Sequence, residues 1–553
     1  MAKNNRSLKW VFSVSSGAIF HVILLSLLGM AMSYLSVRFA LVSKNVVDIA
    51  TGSTVGNLRD WLFALVFLIA MQIIIHIIYT LSEVRVTCSL TNSVQKRVFS
   101  RLAKRDYMAL NSYHSGELVS RLSVDTSNVA AGIISIVPIA LTLCSKAFFS
   151  FKELFALDYQ LALICLLAFP LVTLAARFYG KKMKPMHKEC LRSDDTIKSF
   201  MQDTFQNILA VKAFVKEDLC TKRLALLHRT NYRLKVKRGI ISIFANLVFF
   251  AVMTFAYYFA LIWCAAKIHY GIMTVGTLTA ILQLVGAIQE PFRSFSSVIT
   301  GYYTMIASGE RLIEIENLPP DASGSDIKGT SFEKIVFDNV TFSYGEENIL
   351  SNVSFDIERG SVVSVSGTSG IGKSTFMKLA MGVLKPNDGS ISIVSHGKTT
   401  PPELSRSLFA YVPQGNMILS GSVLDNITFF DAKPDIDRAK SAASLACLAQ
   451  YIDTLPDSYD TLLGEGGLGL SEGQIQRLAI ARAIYADRPV FLLDEATSSL
   501  DADTEETILS NIKSLGKTCV IITHRPCGSE MADANLTFGS NGISQAKKSD
   551  KIV

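Results

Sequence analysis

The sequence contains little charge and lacks closely paired cysteines. Only 18% of its 553 residues are Asp, Glu, Lys or Arg, whereas 49% are hydrophobic, a balance that is high for a soluble protein. Nine cysteines are scattered along the chain without a Cys-x-x-Cys pair. Neither a zinc site nor a disulfide framework is therefore indicated, and reduced, mostly buried thiols are expected.

Long apolar runs are absent from the last part of the chain but recur before residue 310. Runs of about 20 apolar residues are long enough to cross a bilayer. The basic start of the chain is superficially like that of a signal peptide, but the first run is too long and no small-residue cleavage site follows it. We therefore predict a cytoplasmic N-terminus and six membrane spans, at 17–42, 60–82, 130–155, 159–179, 243–267 and 276–306.

Basic residues are concentrated in the two long segments that join spans two and three and spans four and five. They are Arg85, Lys96, Arg97, Arg101, Lys104, Arg105 and Arg121 in the first segment, and Lys181, Lys182, Lys235, Lys237 and Arg238 in the second. The opposite connections, near 155–159 and 268–275, carry few positive charges. Because cytoplasmic loops carry an excess of Lys and Arg, both basic segments and both termini are predicted to be cytoplasmic. This distribution accounts for much of the +7 net charge without a nucleic-acid partner.

A glycine-rich loop at 367–375 reads Gly-Thr-Ser-Gly-Ile-Gly-Lys-Ser-Thr and fits the phosphate-binding pattern G-x-x-x-x-G-K-[ST]. Its glycines let several backbone N–H groups turn toward one phosphate chain, while Lys373 reaches the outer phosphates and the Ser374 hydroxyl binds Mg²⁺. A β-rich run, 362–366, leads into the loop and a helix is predicted over 374–384, so the phosphates would lie at a helix N-terminus. The predicted nucleotide-binding residues are Gly367, Thr368, Ser369, Gly370, Gly372, Lys373, Ser374 and Thr375.

Two adjacent carboxylates follow another apolar run. Val490-Phe-Leu-Leu is followed by Asp494 and Glu495, as expected for a buried strand that delivers acids at its end. Beside a phosphate loop, Asp494 is predicted to hold Mg²⁺ and Glu495 to orient and deprotonate an attacking water. Capping of the next helix is the competing structural role for the same two residues.

A second motif, Leu470-Ser-Glu-Gly-Gln474, lies downstream of the phosphate loop. Together the two motifs resemble those of the ATP-binding cassette (ABC) family. The resemblance implies that Ser471, Gly473 and Gln474 bind the γ-phosphate of an ATP held by a partner subunit. Glu472 occupies a position where the family more commonly has glycine, but Ser471 and Gly473 still match the motif.

The same resemblance assigns roles to side chains outside these motifs. It implies that Tyr344 stacks on adenine and that Gln414, in Tyr411-Val-Pro-Gln414, contacts Mg²⁺ and senses the membrane half. It implies that His524 acts on the γ-phosphate and that Ser499-Leu-Asp501 contacts the partner. The cofactors expected are therefore ATP and Mg²⁺.

The membrane half resembles the exporter branch of this family. The stretches 113–125 and 206–217 are similar to its two intracellular loops, and 307–311 is similar to the end of its sixth helix. Short helices near 110–117 and 206–214 would then dock on the ATPase domains.

The fold class implied is an α-helical six-span transmembrane domain followed by an α/β P-loop ATPase domain. In the second half, β-rich runs at 335–342, 361–366, 489–493 and 518–523 alternate with helical stretches, as an α/β layer fold requires. The predicted limits are 1–316 for the transmembrane domain, 317–331 for a linker and 332–553 for the ATPase domain.

A few polar residues interrupt the apolar spans and are candidates for function. They are His76, Lys146, Gln283, Gln289 and Glu290. Gln283 and Glu290 are the predicted substrate contacts, although an ion pair between Glu290 and Arg293 within one helix is a competing interpretation. Pro291 is expected to bend span six.

One six-span domain and one ATPase domain are half of the usual machine, so a dimer is predicted. Because Glu495, Ser471, Gly473 and His524 are all intact, a homodimer is favoured over a heterodimer with a second half-transporter. The function implied is ATP-driven export of an amphipathic drug, lipid or small peptide across a bacterial inner membrane. Import by the same fold and a nucleotide-gated channel or sensor remain alternatives, whereas six spans argue against a soluble ATPase.

Overall fold

A computed structural model describes residues 2–321, 332–345, 347–415, 418–464, 469–523, 525–539 and 542–547. The chain divides into two compact units. The first comprises Met1–Ser100 and Gly116–Glu316, and the second comprises Arg101–Ser115 and Asn317–Val553. The short segment Arg101–Ser115 therefore packs with the C-terminal part of the chain, although it lies within the predicted limits 1–316. Those domain limits remain a prediction.

The first unit is built from helices. They are α1 (Ala2–Ser15), α2 (Ile19–Ala50), α3 (Leu58–Leu102), α5 (Ser115–Ser120), α6 (Thr126–Leu157), α7 (Tyr159–Gln206), α8 (Ile208–Ala213), α9 (Glu217–His269) and α10 (Val275–Glu316), with α4 (Tyr107–Asn111) in the second unit. A π-helical turn, Arg121–Asp125, joins α5 to α6. Helices α3 and α7 have 45 and 48 residues, more than twice the roughly 20 that a bilayer crossing requires.

The number of membrane spans is supported in part. Among the described residues, four helical stretches are long and apolar enough to cross a membrane, namely Ser7–Ala50, Leu58–Leu102, Ser115–Leu157 and Glu217–His269. They contain the predicted spans 17–42, 60–82, 130–155 and 243–267. The spans predicted at 159–179 and 276–306 fall within α7 and α10. The count of six therefore remains a prediction.

Helices α2, α6 and α10 pack closely on one another. Where α2 meets α6, a Cβ atom on Gly29 would lie 1.9 Å from Thr142 Oγ1, so only glycine permits this approach. The Ser33 hydroxyl donates to the Thr142 carbonyl at 2.9 Å, one turn along α2. Small residues that bring helix backbones together are typical of membrane helix pairs.

The first predicted docking helix differs from its expected limits. Two short helices, α4 and α5, replace the single helix expected near 110–117. The earlier start has a local cause, because Asp106 Oδ1 accepts a hydrogen bond from the Ala109 N–H at 3.1 Å and caps α4. The second docking helix, α8, lies inside its predicted range of 206–214.

Two principal sheets form the second unit. One is antiparallel, in the order β2 (Asn348–Glu358), β1 (Lys334–Ser343), β4 (Asp388–Ser395) and β5 (Lys398–Thr400). The other has the order β12 (Gly542–Lys547), β11 (Ala534–Gly539), β3 (Val362–Gly367), β10 (Thr518–Ile522), β9 (Val490–Asp494) and β6 (Phe409–Val412). A small pair, β7 (Gly421–Ser422) and β8 (Leu462–Leu463), completes the strands of the described residues.

The helices of the second unit follow the strands. They are α11 (Lys373–Ala380), α12 (Val423–Thr428), α13 (Ile436–Leu445), α14 (Ala449–Asp453), α15 (Glu472–Ala486), α16 (Ala502–Ser514) and α17 (Pro526–Glu530). Helix α11 ends earlier than the predicted 374–384. Gly382 follows it with φ +64°, a left-handed conformation in which a right-handed helix cannot continue. Glycine suits this position because a Cβ atom would lie 2.2 Å from the Glu403 nitrogen.

Parallel pairing brings the predicted motifs to one edge. Strands β3, β10, β9 and β6 are mutually parallel, and every residue of β9 and β10 is buried. All four predicted β-rich runs are strands in the structure. The phosphate loop follows β3 and the two acids stand at the end of β9, so both lie at the carboxyl edge of the same sheet, the usual ligand-binding edge of an open α/β sheet.

Candidate functional site

The glycine-rich loop adopts a backbone that other residues would strain. Gly367, Gly370 and Gly372 have φ values of +147°, +83° and +107°. Gly372 also lies so close to Ile349 that a Cβ atom would be 2.3 Å from its Cγ2. The chain then enters α11 directly, so the loop and the first turn of this helix present backbone N–H groups to one small volume. This arrangement suits an anion such as a phosphate chain.

Lys373 brings its positive charge to this loop. The side chain is buried, and its ammonium donates to the Gly367 carbonyl at 2.8 Å and to the Thr368 carbonyl at 3.1 Å. The loop carbonyls thus hold the ammonium beside the backbone groups that would meet a phosphate. Lysine acts as a point charge toward phosphate, so its closeness to the loop fits the predicted role.

Asp494 is held from two sides by hydroxyl groups. Its side chain is only 1% exposed, Oδ1 accepts from Ser374 Oγ at 3.0 Å, and Oδ2 accepts from the Tyr411 hydroxyl at 3.1 Å. Burial raises the pKa of the Asp494 carboxyl, while these two hydrogen bonds act in the opposite direction. The carboxylate therefore lies in a dry environment beside the phosphate loop.

The donor atoms around Asp494 suit a hard cation. Ser374 offers a hydroxyl oxygen, Asp494 a carboxylate and Gln414 an amide oxygen, and Mg²⁺ prefers oxygen ligands. No cluster of three or more His, Cys, Asp or Glu side chains that could hold a metal occurs among the described residues. Mg²⁺ is usually bound through one or two carboxylates together with phosphate and water, and a carboxylate with neighbouring hydroxyl and amide oxygens fits that pattern.

Glu495 and Gln414 face each other at the same edge. Gln414 Nε2 donates to Glu495 Oε2 at 2.5 Å. Glu495 has φ +50°, a left-handed conformation that is uncommon for a residue with a side chain, and its N–H donates to the Ile522 carbonyl at 3.2 Å. Neighbouring strands thus fix a carboxylate immediately after Asp494, where it could orient a water molecule.

Tyr344 lies over the start of α11. Its ring is 51% exposed, packs edge-on against Phe342 with centroids 5.0 Å apart, and its hydroxyl oxygen accepts from Thr375 Oγ1 at 3.5 Å. An exposed aromatic face beside a phosphate loop offers a stacking surface for a nucleotide base. The structure therefore brings this predicted adenine contact and Thr375 together.

The signature residues form a capped helix start. Ser471 is the N-cap of α15, where its N–H donates to Gln474 Oε1 at 2.7 Å and its hydroxyl accepts from the Gln474 N–H at 3.3 Å. A Cβ atom on Gly473 would lie 3.1 Å from the Ser499 carbonyl oxygen, so glycine lets the predicted partner-contact loop pass closely. Gln476 reinforces this contact by accepting from the Ser499 N–H at 3.0 Å.

His524 lies outside the described residues, but its neighbour Arg525 has well-defined contacts. The guanidinium donates to the Ser498 carbonyl at 2.9 Å and to the Leu500 carbonyl at 2.6 Å, and it pairs with the buried Glu505 at 2.9 Å. The segment after β10 is thereby fastened to the loop that contains 499–501. Sequence reasoning missed Arg525, Glu505 and Tyr411, because no local pattern distinguishes them from ordinary surface or strand residues.

In the membrane half, the structure joins two of the predicted polar residues. Lys146 on α6 forms an ion pair with Glu290 on α10. Gln289 is buried and donates to the Met253 carbonyl at 3.0 Å, whereas Gln283 and His76 are exposed. The competing partner, Arg293, has its side chain outside the described set. A charge pair between two apolar helices is costly in a membrane and therefore marks a candidate for function.

Two protein-family models match the chain. The model for the ABC transporter transmembrane region matches residues 19–292, and the model for the ABC transporter domain matches residues 350–498. The two matches fall on the helical part and on the strand-rich part that carries the phosphate loop. They agree with the resemblance that the motifs indicate.

Individual proteins are similar over most of the chain. The ATP-dependent lipid A-core flippase of Desulfotalea psychrophila is 27% identical over 460 residues, which cover 82% of this chain and 80% of that protein. A putative export ATP-binding/permease protein of Rickettsia felis is 28% identical over 469 residues, with coverages of 82% and 80%. A bacterial Atm1-family ABC exporter solved with ATP bound superposes with a TM-score of 0.79 at 24% identity, over 97% of this chain and 96% of that one.

Proposed function

The chain belongs to the ATP-binding cassette transporter family. We propose that it is one subunit of a dimeric exporter that moves an amphipathic lipid, drug or peptide. It has the exporter fold and is an ATPase coupled to transmembrane transport. The observation that carries the proposal is the meeting of the phosphate loop, Asp494 and Glu495 at one sheet edge, in a chain that also supplies its own membrane helices.

In the proposed nucleotide site, each side chain has a separate task. The loop at 367–375 and Lys373 bind the phosphates, and the Tyr344 ring supports the base. Ser374 and Asp494 would hold Mg²⁺, with Gln414 as a further ligand, and the ion would supply positive charge to the terminal phosphates. Glu495 would orient the attacking water and accept its proton. His524 is proposed to contact the γ-phosphate.

A second copy of this chain is the proposed partner. Ser471 and Gln474 exchange hydrogen bonds at the start of α15, and Gln476, one turn along, donates to the Ser498 hydroxyl at 3.0 Å. In a dimer Ser471, Gly473 and Gln474 would face the ATP bound by the opposite phosphate loop, as the family resemblance implies. Because one chain carries every element, a homodimer would have two complete sites, whereas a heterodimer is the alternative.

The cargo is proposed from the character of the membrane half. Its helices are predominantly apolar, and the described part includes the Lys146–Glu290 ion pair between α6 and α10. Apolar surface with one charged pair fits a molecule that has both an apolar body and a polar group. Glu290 and Gln283 are the proposed contacts with its polar group, in an inner membrane with both termini cytoplasmic.

Transport by inside-out vesicles tests this function. Vesicles that contain the chain should accumulate a fluorescent phospholipid analogue or a cationic amphipathic dye when Mg-ATP is added outside. Glu495→Gln should abolish accumulation because it removes the proposed proton acceptor, whereas Glu506→Gln, an exposed acid on α16, should leave it intact. Uptake of the same compound into intact cells would instead establish import. An ATP-gated ionic current without accumulation of the compound would establish a channel.

A further inference from the structure

We propose that Tyr411 is a positioning residue for the metal-binding carboxylate of Asp494. The proposal rests on the proposed Mg²⁺ role of Asp494. It assigns a function to a side chain that no motif identifies.

The first step is the geometry around Asp494. Its two carboxylate oxygens each accept one hydroxyl, from Ser374 at 3.0 Å and from Tyr411 at 3.1 Å. With 1% exposure, water cannot readily replace either donor. Two donors on different oxygens fix the plane of the carboxylate, as outer hydrogen bonds do for metal ligands in general. If Ser374 turns to a metal ion, Tyr411 is the donor that continues to orient Asp494.

The second step is the position of Tyr411 on its strand. Tyr411 lies on β6, which pairs in parallel with β9, and it stands opposite Leu492. The strand carries its hydroxyl toward the end of β9, where Asp494 lies two residues farther along. The backbone of both residues is therefore set by the sheet. A phenylalanine at position 411 would keep the ring and lose only the hydrogen bond.

Metal affinity, measured apart from turnover, tests the positioning role. In the full chain in nanodiscs, Mn²⁺ binding in the presence of ADP is followed by electron paramagnetic resonance. Tyr411→Phe should weaken Mn²⁺ binding about tenfold, the lower end of the effect of losing an outer partner of a metal ligand. ADP affinity in EDTA should stay unchanged. Tyr451→Phe on α14 is the matched control and should bind Mn²⁺ as the parent chain does.

The outcomes separate this proposal from the proposed function. If the parent chain binds Mn²⁺ with ADP and Tyr411→Phe binds it equally well, the positioning role is refuted while the ATPase assignment stands. If the parent chain binds ADP but no Mn²⁺, the metal assignment of Asp494 fails and the positioning role of Tyr411 fails with it. A melting temperature of Tyr411→Phe close to that of the parent chain shows that weaker binding does not come from misfolding.

Discussion

At the scale of single residues, the candidate site depends on backbone conformations that few side chains tolerate. Gly372 has φ +107° at the start of α11, and Glu495 has φ +50° after β9. Strained conformations of this kind persist where the surrounding structure determines them, and they concentrate at functional sites. In both residues the sheet edge holds the conformation, since β3 and β9 are pinned by β10 between them.

Gly372→Ala should weaken ATP binding about fivefold or more, because it places a Cβ at a strained φ and such strain costs about 1–3 kcal/mol. The new Cβ would also lie 2.3 Å from Ile349 Cγ2. Equilibrium binding of a fluorescent ATP analogue measures the effect. Gly239→Ala, within helix α9 and with no heavy atom inside 4 Å of the new Cβ, is the control and should bind normally. Normal binding by Gly372→Ala would contradict the proposed cradle.

Arg525→Ala should destabilise the chain because it leaves the buried Glu505 carboxylate, 1% exposed, without its charged partner. Removing one partner of a buried ion pair costs about 3–5 kcal/mol, and the half-exposed position of Arg525 places the expected loss below that range. Thermal unfolding of the purified chain checks this. Arg359→Ala, at an exposed position, should have little effect.

Adding Glu505→Gln to Arg525→Ala should recover part of the lost stability, since the uncompensated charge is then gone. Absence of any recovery would show that the carbonyl contacts to Ser498 and Leu500, rather than the ion pair, hold this segment.

At the scale of secondary-structure elements, the N-terminal end of α6 and the C-terminal end of α10 are joined by a compact polar network. Arg311 on α10 donates to both oxygens of Asp125, at 2.8 and 2.5 Å, and the Ser308 hydroxyl donates to the same carboxylate at 2.8 Å. Asp125 is 3% exposed and ends the π-helical turn that precedes α6. π-Helical turns are rare and frequently occur at functional sites.

Asp125→Asn should lower the melting temperature and reduce transport more than ATP hydrolysis, because it loosens α6 from α10 without touching the nucleotide site. The Asp125 carboxylate is buried while Arg311 is half exposed, and bidentate carboxylate–guanidinium pairs are among the stronger polar contacts. The ratio of transported cargo to ATP hydrolysed measures the effect. Asp194→Asn removes an exposed pair with Lys235, for which a loss of about 0–1 kcal/mol is expected. Equal behaviour of the two variants would argue against a role for the network.

Sequence patterns predicted the elements better than their contacts. The strand–loop–helix around 362–380 follows from local residue types, and its strands and helix are present. Limits were less accurate, since Gly382 ends α11 early and Asp106 starts α4 early. The Asp494–Tyr411 bond was not predictable, because two positions 83 residues apart meet only through the lateral order of strands β9 and β6. Tertiary pairing of this kind leaves no periodic trace in one sequence.

At the scale of the whole molecule, one chain combines membrane helices with the phosphate loop and the two acids that are proposed to form its ATPase site. The membrane unit contributes the Lys146–Glu290 pair, and the ATPase unit contributes the phosphate loop and the acids. Because the chain belongs to a transporter family, ATP hydrolysis in the ATPase unit is expected to drive transport through the membrane unit. Neither the cargo nor the partner can be read from the motifs, because both depend on surfaces that form only in the assembled transporter.

A charge exchange in the membrane half distinguishes a structural ion pair from a cargo contact. Glu290→Lys alone should destabilise the chain, since it places two cations together, and adding Lys146→Glu should restore the melting temperature. If Glu290 contacts cargo, transport should stay impaired in the stable exchanged variant. Full recovery of transport would assign the pair a structural role only.

Whether one chain suffices for ATP hydrolysis is measured with the purified chain alone in lipid nanodiscs, supplied with Mg-ATP, beside Glu495→Gln and the Glu506→Gln control. We expect robust hydrolysis that is cooperative in ATP, abolished by Glu495→Gln and retained by Glu506→Gln. That result would establish a self-sufficient homodimeric ATPase. Equal and negligible rates in the parent chain and in Glu495→Gln, with cargo present as well as absent, would contradict it.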